Sequence, residues 1–342
     1  MTTPGWVAAL AEEARRALPA HVHHYVTTGS RDGVSVAEAA EAWRAVRFRP
    51  RVLTGGVAPD LTTEVHGSRL TMPVGIAPTS LQRLVHPDGE LAMARAALEA
   101  GTVLTVSSNA GTPFADIGAT GVTWWLQAYL TADRDLIAPA LRAAVAAGAR
   151  AVVLTVDTPV PGHKYDVHDA PFGDLSGVYG VNHPDAVRGA TPGAQHATDL
   201  GPDDIAWLAD LTGVPVWVKG VLRSDDAGRA VAAGASGVWV SNHGGRQLDR
   251  SIPTAVALPE VAAAVGGRVP VAVDGGVRTG LDVLAALSSG ADLAFQGRLP
   301  LLALASGGAS GVAGLLSRVR DELEEALLLG GISSPAQAAD LR

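Results

Sequence analysis

Eight short apolar runs punctuate the chain. They read VGIAP (74–78), TVLTVSS (102–108), TWWLQAYL (123–130), AVVLTVD (151–157), PVWVKGV (215–221), GVWVSNHG (237–244), PVAVDGG (270–276) and ADLAFQG (291–297). Most are continuous rather than alternating, the pattern of parallel strands covered on both faces. Between them lie alanine-rich stretches with helical spacing: ELAMARAALEAG, DLIAPALRAAVAAG, SDDAGRAVAAG and GLDVLAALSSG. Several end in Gly just before the next strand, where a helix C-cap belongs. AAGARAVVLTV, AAGASGVWVSN and SSGADLAFQG repeat nearly the same helix end, turn and strand. Eight such units predict an α/β fold, a (β/α)₈ TIM barrel. No G-x-G-x-x-G follows an early strand, which counts against a doubly wound sheet.

Two regions stand outside the repeat. Residues 1–70 look helical at first and then irregular. Residues 160–200, after the fourth strand, are rich in Gly, Pro, Asp and His. A loop of that length in a compact domain is usually functional. The expectation is one domain over 1–342, with an N-terminal segment over 1–70 and the barrel over 71–330.

Composition changes this picture little. The 342 residues are 47% hydrophobic and 18% charged, enough to bury a large core. A net charge of -8 with no basic block argues against nucleic acid. The absence of Cys excludes disulfides, thiolate metal sites and cysteine nucleophiles and fits a reducing compartment. The first twenty residues lack the basic and apolar regions of a signal peptide. No apolar run reads as long enough to span a bilayer. A cytoplasmic protein acting without a membrane is expected.

Chemistry in such a barrel sits where the strands end. There the chain places Pro78, Thr79 and Ser80; Ser107, Ser108 and Asn109; Gln127 and Tyr129; then Asp157, Lys219, His243 and Arg246. The last two strands end in DGGVRTG and QGR, small residues followed by Arg278 and Arg298. One glycine pair alone is a tight turn. Both together, each with an arginine and after strands seven and eight, point to a phosphate. A lone histidine is more often structural, but His243 has a carboxylate and an ammonium projecting into the same mouth. A carboxylate at Asp157 can hold an imidazole's tautomer. Arg246 offers a planar fork to a substrate carboxylate.

SNHGGRQLD (241–249) resembles the signature of the FMN-dependent α-hydroxy-acid oxidases and dehydrogenases, the glycolate oxidase-like group. LPAHVHHYVTTG (18–29), RFRPRVL (47–53), IAPTSLQ (76–82), HPDGE (86–90), LTVDTP (154–159), VKGV (218–221) and DGGVRTG (274–280) follow in family order. The resemblance implies oxidation of an (S)-2-hydroxy acid to the 2-oxo acid, with FMN as cofactor and oxygen or another acceptor reoxidising it. It implies that His243 is the base, that Asp157 stabilises its protonated form, and that Arg246 and Tyr25 bind the substrate carboxylate. Tyr129 would lie near the substrate hydroxyl and Lys219 by the flavin N1/O2 edge. Pro78, Thr79, Ser80, Ser107, Gln127, Thr155 and Ser241 would line the flavin. Asp274, Gly276, Arg278, Gly297 and Arg298 would hold the ribityl phosphate. A homotetramer or octamer is implied too. A larger tailored substrate, or an isomerase on the same barrel, are the alternatives.

Three departures bear on substrate choice. Lys164 stands where the family usually has arginine, keeping charge but losing the fork. Ser80 replaces the usual Ala or Gly, and Asn109 an aromatic residue of glycolate oxidase. The fourth loop lacks a long apolar insertion, so the membrane-anchored type is not expected, nor is a haem domain ahead of the barrel. His21, His23 and His24 have metal-like spacing but read as surface or pocket-rim residues. Trp124 and Trp125 read as barrel packing.

Overall fold

The computed structural model describes residues 5–56, 58–165, 175, 177–183 and 191–342. The N-terminal segment forms α1 (Gly5–Ala17), α2 (Ala20–Thr27) and α3 (Val34–Arg44), then an antiparallel ribbon, β1 (Thr63–Val65) and β2 (Ser68–Leu70). The ribbon lies in the stretch expected to be irregular. Its three-residue strands are too short to show a period.

The eight apolar runs form the barrel: β3 (Val74–Ile76), β4 (Val103–Ser107), β5 (Thr123–Ala128), β6 (Val152–Thr155), β7 (Val216–Val221), β8 (Gly237–Val240), β9 (Val271–Val273) and β10 (Leu293–Gln296). All pair in parallel, and β10 returns to β3 to close the barrel. The register sets Ser107 beside Gln127 and Thr155 beside Lys219. Polar side chains thus line up where the strands end, as the chain pattern predicts. Tyr129 lies one residue beyond β5.

Around the strands run α4 (Gln82–Val85), α5 (Gly89–Ala100), α6 (Phe114–Ala119), α7 (Arg134–Ala146), α8 (Pro202–Thr212), α9 (Ser224–Ala232), α10 (Thr254–Val265), α11 (Gly280–Ser288) and α12 (Arg298–Gly330). Gly101 caps α5 in the left-handed conformation, as the Gly-before-strand pattern predicts; Gly148, Gly234 and Gly290 also have positive φ but lie one residue past the caps Ala147, Ala233 and Ser289. By length and composition α12 is apolar enough to cross a membrane, which corrects the expectation that no such run exists. Small residues interrupt its apolar pattern in sequence, at LASGGASG. In the fold it bends at Gly307 and Gly308 and buries half of its most apolar stretch inside the protein.

Among the described residues the core falls into two clusters. One lies between strands and helices and includes Trp124 at 1% exposure. The other fills the barrel, where Trp125 stacks on Trp217 at 5.1 Å and Phe295 meets Trp239 at 3.9 Å between ring centroids. Val65 and Leu70 of the ribbon join this inner cluster. Truncating one of these rings to Ala would cost about 3–5 kcal/mol through lost burial and the cavity left behind. The packed interior leaves the open volume above it, at the strands' C-terminal ends.

Candidate active site

The site is built on the turn after β8. Ser241 is fully buried, and its hydroxyl accepts from Lys219 Nζ at 2.8 Å and from His243 N–H at 3.0 Å. It donates to Asp274 Oδ1 at 2.6 Å. After Asn242, three successive residues, His243, Gly244 and Gly245, have positive φ, at 56°, 62° and 72°. For His243 that conformation carries strain of about 1–3 kcal/mol, which the surroundings must impose. They do so through the N-terminal segment. A side chain at 245 would run into Val36, and Gly245 O accepts from Ser30 N–H at 2.9 Å. Asp249 then caps α3, accepting from Ser35 N–H at 2.9 Å. So Gly245 serves the turn's contact with α3, while Gly244 faces the Arg298 guanidinium.

His243 Nδ1–H donates to Asp157 Oδ1 at 2.9 Å. Burial alone would raise the Asp157 carboxyl, but His243, Lys219 and Thr158 hold it below the usual carboxylate range. A carboxylate on Nδ1 leaves Nε2 facing the cavity, 3.4 Å from the Tyr129 hydroxyl. Burial and the Asp157 charge push the Tyr129 phenol up, so it stays protonated. Lys219 is 4% exposed and pairs with Asp274 Oδ2 at 3.0 Å.

Toward solvent the cations gather. Arg246 Nη1 donates to the carbonyls of Tyr25, at 2.8 Å, and Thr28, at 3.0 Å, while its guanidinium lies 4.7 Å from the centre of the Tyr25 ring. Part of its fork is therefore spent on the backbone. Lys164 reaches the same ring from the loop after β6, its Nζ 6.0 Å from the centre. Burial, with Arg246 and Arg298 nearby, lowers the Lys164 ammonium to about 8. Burial, Arg246 and Arg278 lower Arg298 to about 9. Cations crowded in one cavity with few carboxylates favour an anion.

The expected phosphate set is only partly gathered. Arg278 is half-buried and its side chain has no hydrogen-bond acceptor among the described residues. Gly276 has φ 89°, and a Cβ there would meet Ala39 O at 2.5 Å, so only glycine fits against α3. Gly297 precedes the N-terminus of α12, whose first amides favour an anion. Asp274 departs from that set because its carboxylate is held by Lys219 and Ser241. Arg298 departs too: it donates to the carbonyls of Val26, Thr28 and Gly244, tying α2 to the β8 turn.

These groups line one cavity of about 740 Å³. Of the single residues named at the strand ends or given a role by the resemblance, Asp157 stands behind His243, Ser108 and Ser241 are buried off the cavity, and the others border it. The volume falls in the usual range of small-molecule and cofactor sites. Gln127, Thr155 and Lys219 provide donors and acceptors at one part of the cavity, and the Arg278 guanidinium stands at another. That arrangement fits FMN: a polar ring edge near Lys219 and a phosphate near Arg278 and the α12 N-terminus.

Several wall residues were not singled out in the sequence. Tyr179 is pushed up to about 12 by burial and by Tyr25. His196 stacks on Tyr129, ring centroids 4.8 Å apart. Thr158 and Gln247 stand beside His243 and the β6 loop. Tyr179 and His196 belong to the long loop after β6, where the density of His and Tyr was the available signal. Its residues 166–174, 176 and 184–190 lie outside the described ones. His23 borders the cavity, and His24 Nε2 is buried with no hydrogen-bond partner among the described residues.

Known proteins resemble this chain over nearly its whole length. The family of FMN-dependent dehydrogenases matches residues 14–341. Glycolate oxidase of Spinacia oleracea is 40% identical over 333 residues, covering 94% of this chain and 90% of its own. Glycolate oxidase 1 of Zea mays is 40% identical over 336 residues, covering 95% and 91%. Among solved structures, mandelate oxidase with (S)-4-hydroxymandelic acid superposes with a TM-score of 0.93 at 35% identity, covering 98% of both chains.

Proposed function

The chain belongs to the FMN-dependent dehydrogenase family, and we propose that His243 is the base in its FMN-dependent oxidation of a 2-hydroxy acid to the 2-oxo acid. The observation that carries the assignment is the Asp157–His243 pair, with Nε2 turned to a cavity rimmed by Arg246, Lys164 and Tyr25. The remaining nitrogens of Arg246, with Lys164, hold the substrate carboxylate. That places the substrate's 2-position near His243 Nε2 and the Tyr129 hydroxyl. Nε2 takes a substrate proton, and Asp157 stabilises the imidazolium through Nδ1. Tyr129, kept protonated, donates to the substrate hydroxyl oxygen. When bound, FMN supplies the two-electron acceptor. Lys219 would stand by the ring edge that gains negative charge, with Thr79, Ser107, Gln127 and Thr155 beside the ring. Arg278, Gly276 and the α12 N-terminus would hold the phosphate. Tyr179, Asn109 and His196 would face the group on the substrate's 2-carbon.

An (S)-configured acid is proposed, in keeping with the mandelate oxidase bound to an (S)-acid. Oxygen is the proposed acceptor because the relatives are named oxidases. A cytoplasmic location rests on composition alone. Anaerobic mixing of the purified yellow protein with glycolate, lactate and both enantiomers of mandelate tests the reading. Bleaching of the flavin band by an (S)-acid is expected, followed by peroxide when air is admitted. His243→Ala should keep FMN and bleach ~10²–10⁴-fold more slowly. A variant that bleaches at the wild-type rate would overturn the base assignment.

A further inference from the structure

Behind the Asp157–His243 pair runs a chain of hydrogen bonds whose direction is fixed at both ends. It starts on the backbone of the loop after β6, where Gly162 N–H donates to Gln247 Oε1 at 2.8 Å. A backbone N–H can only donate, so the Gln247 oxygen is the atom that faces it. The Gln247 nitrogen must then face the other way, and Nε2 donates to Thr158 Oγ1 at 2.9 Å. A hydroxyl that accepts from an amide turns its own proton elsewhere. Asp157 Oδ1 receives it, at 3.3 Å. That oxygen is also the one that holds His243 Nδ1–H. Thr158 Oγ1 lies 3.3 Å from Nδ1 as well, so Thr158 touches both members of the pair.

The start of the chain is equally constrained. A side chain at 162 would strike Arg246 O, and its Cβ would come within 2.8 Å of Gln247 Cα. Lys164 is two residues further on and bonds back to Gly162 O at 3.2 Å. The segment that carries the substrate-side ammonium is therefore pressed against the residue that orients Thr158.

We propose that Gln247 is a positioning residue that sets the alignment of the Asp157–His243 pair by the seating of the Gly162–Lys164 segment. The proposal rests on the assignment of His243 as the base. It links where the anionic end of the substrate is held to how the base is aimed.

Gln247→Leu removes both bonds at similar size. Gln247→Glu can still accept from Gly162 but can no longer donate to Thr158, which reverses the chain. Both variants, loaded with FMN, should lose about 10-fold or more in flavin reduction at saturating hydroxy acid, with a smaller change in KM. FMN affinity and thermal stability should stay at wild-type values. Thr158→Val should show the same loss and Thr158→Ser should not. The double variant Gln247→Leu/Thr158→Val should be no slower than either single one, because both interrupt one chain. A readout independent of turnover is the imidazole Nδ1–H proton resonance of histidine-labelled protein, assigned by its absence in His243→Asn. It should move in Gln247→Leu and return in no Gln247 variant that cannot donate. Reduction within about twofold of wild type, additive single effects or an unmoved resonance would each overturn the proposal. If instead His243→Ala reduces FMN normally, the base assignment fails while the resonance test of Gln247 still stands.

Discussion

Lys164 owes its lowered proton affinity to burial and to two arginines. Below about pH 8 it is charged and complements an anionic substrate; above it the charge is lost. KM for a 2-hydroxy acid should therefore rise as pH passes upward through about 8, the bound anion moving the turn somewhat higher. In Lys164→Arg the rise should vanish, because a guanidinium keeps its proton there, and the restored fork should shift preference toward small acids. Lys164→Ala should raise KM about 10-fold at pH 7 while kcat changes far less. Steady-state kinetics of both variants across pH checks this. If both match wild type, the ammonium is solvated and takes no part in binding. Asp157→Asn is the companion test at the other end of the site. An amide leaves the imidazolium without its counter-charge, and flavin reduction should slow by ~10²-fold or more.

Three segments meet at the mouth: 28–33 from the N-terminal segment, 157–165 after β6 and 241–250 after β8. Arg31 N–H donates to His163 O and Ser30 N–H to Gly245 O, both at 2.9 Å, so each segment braces the others. This bracing explains why the barrel was legible in the sequence and the substrate walls were not. The strands announced themselves by continuous apolar runs, and His243, Asp157 and Lys219 by standing at the ends of those runs. Tyr179 and His196 reach the cavity through a long loop with no period, and only tertiary contacts bring them there. The spending of Arg298 on three carbonyls depends on where α2 packs, which no local pattern encodes. The two phosphate glycines separate in the same way. Gly276→Ala combines positive φ with a clash against Ala39 O and should cost about 1–3 kcal/mol from backbone strain alone. Gly297 has φ −105°, and the nearest atoms to a new Cβ lie 3.8 Å away, so Gly297→Ala should unfold close to wild type. Thermal unfolding of the two apo variants decides it; equal losses would contradict the argument.

At the scale of the whole molecule, FMN bound in this cavity would join the N-terminal segment to the barrel, because the cavity has walls from both. Saturating FMN at about 100 times its Kd should stabilise the fold by about 2.7 kcal/mol. A melting temperature that does not move with FMN concentration would contradict a site formed only in the folded chain. The assembly proposed from the family resemblance is a homotetramer or octamer. Large apolar side chains stand in solvent at Leu248, 79% exposed, and Val160, 63% exposed, on the rim beside the mouth. Contiguous exposed patches often mark contact surfaces. Light scattering that returns a monomer would sink the proposal.

The aromatic filling of the barrel has an optical consequence. Of the seven tryptophans, Trp125, Trp217 and Trp239 lie in the inner cluster with Phe295, which also borders the cavity. Indoles emit in the near ultraviolet and violet, where an isoalloxazine absorbs, and at such separations excitation passes to the acceptor before it can be radiated. The empty protein should therefore glow when excited at the indole band and dim as the yellow ligand enters. A titration followed by that emission would count sites per chain without substrate or turnover. Trp239→Phe should shrink the dimming while leaving the stoichiometry in place.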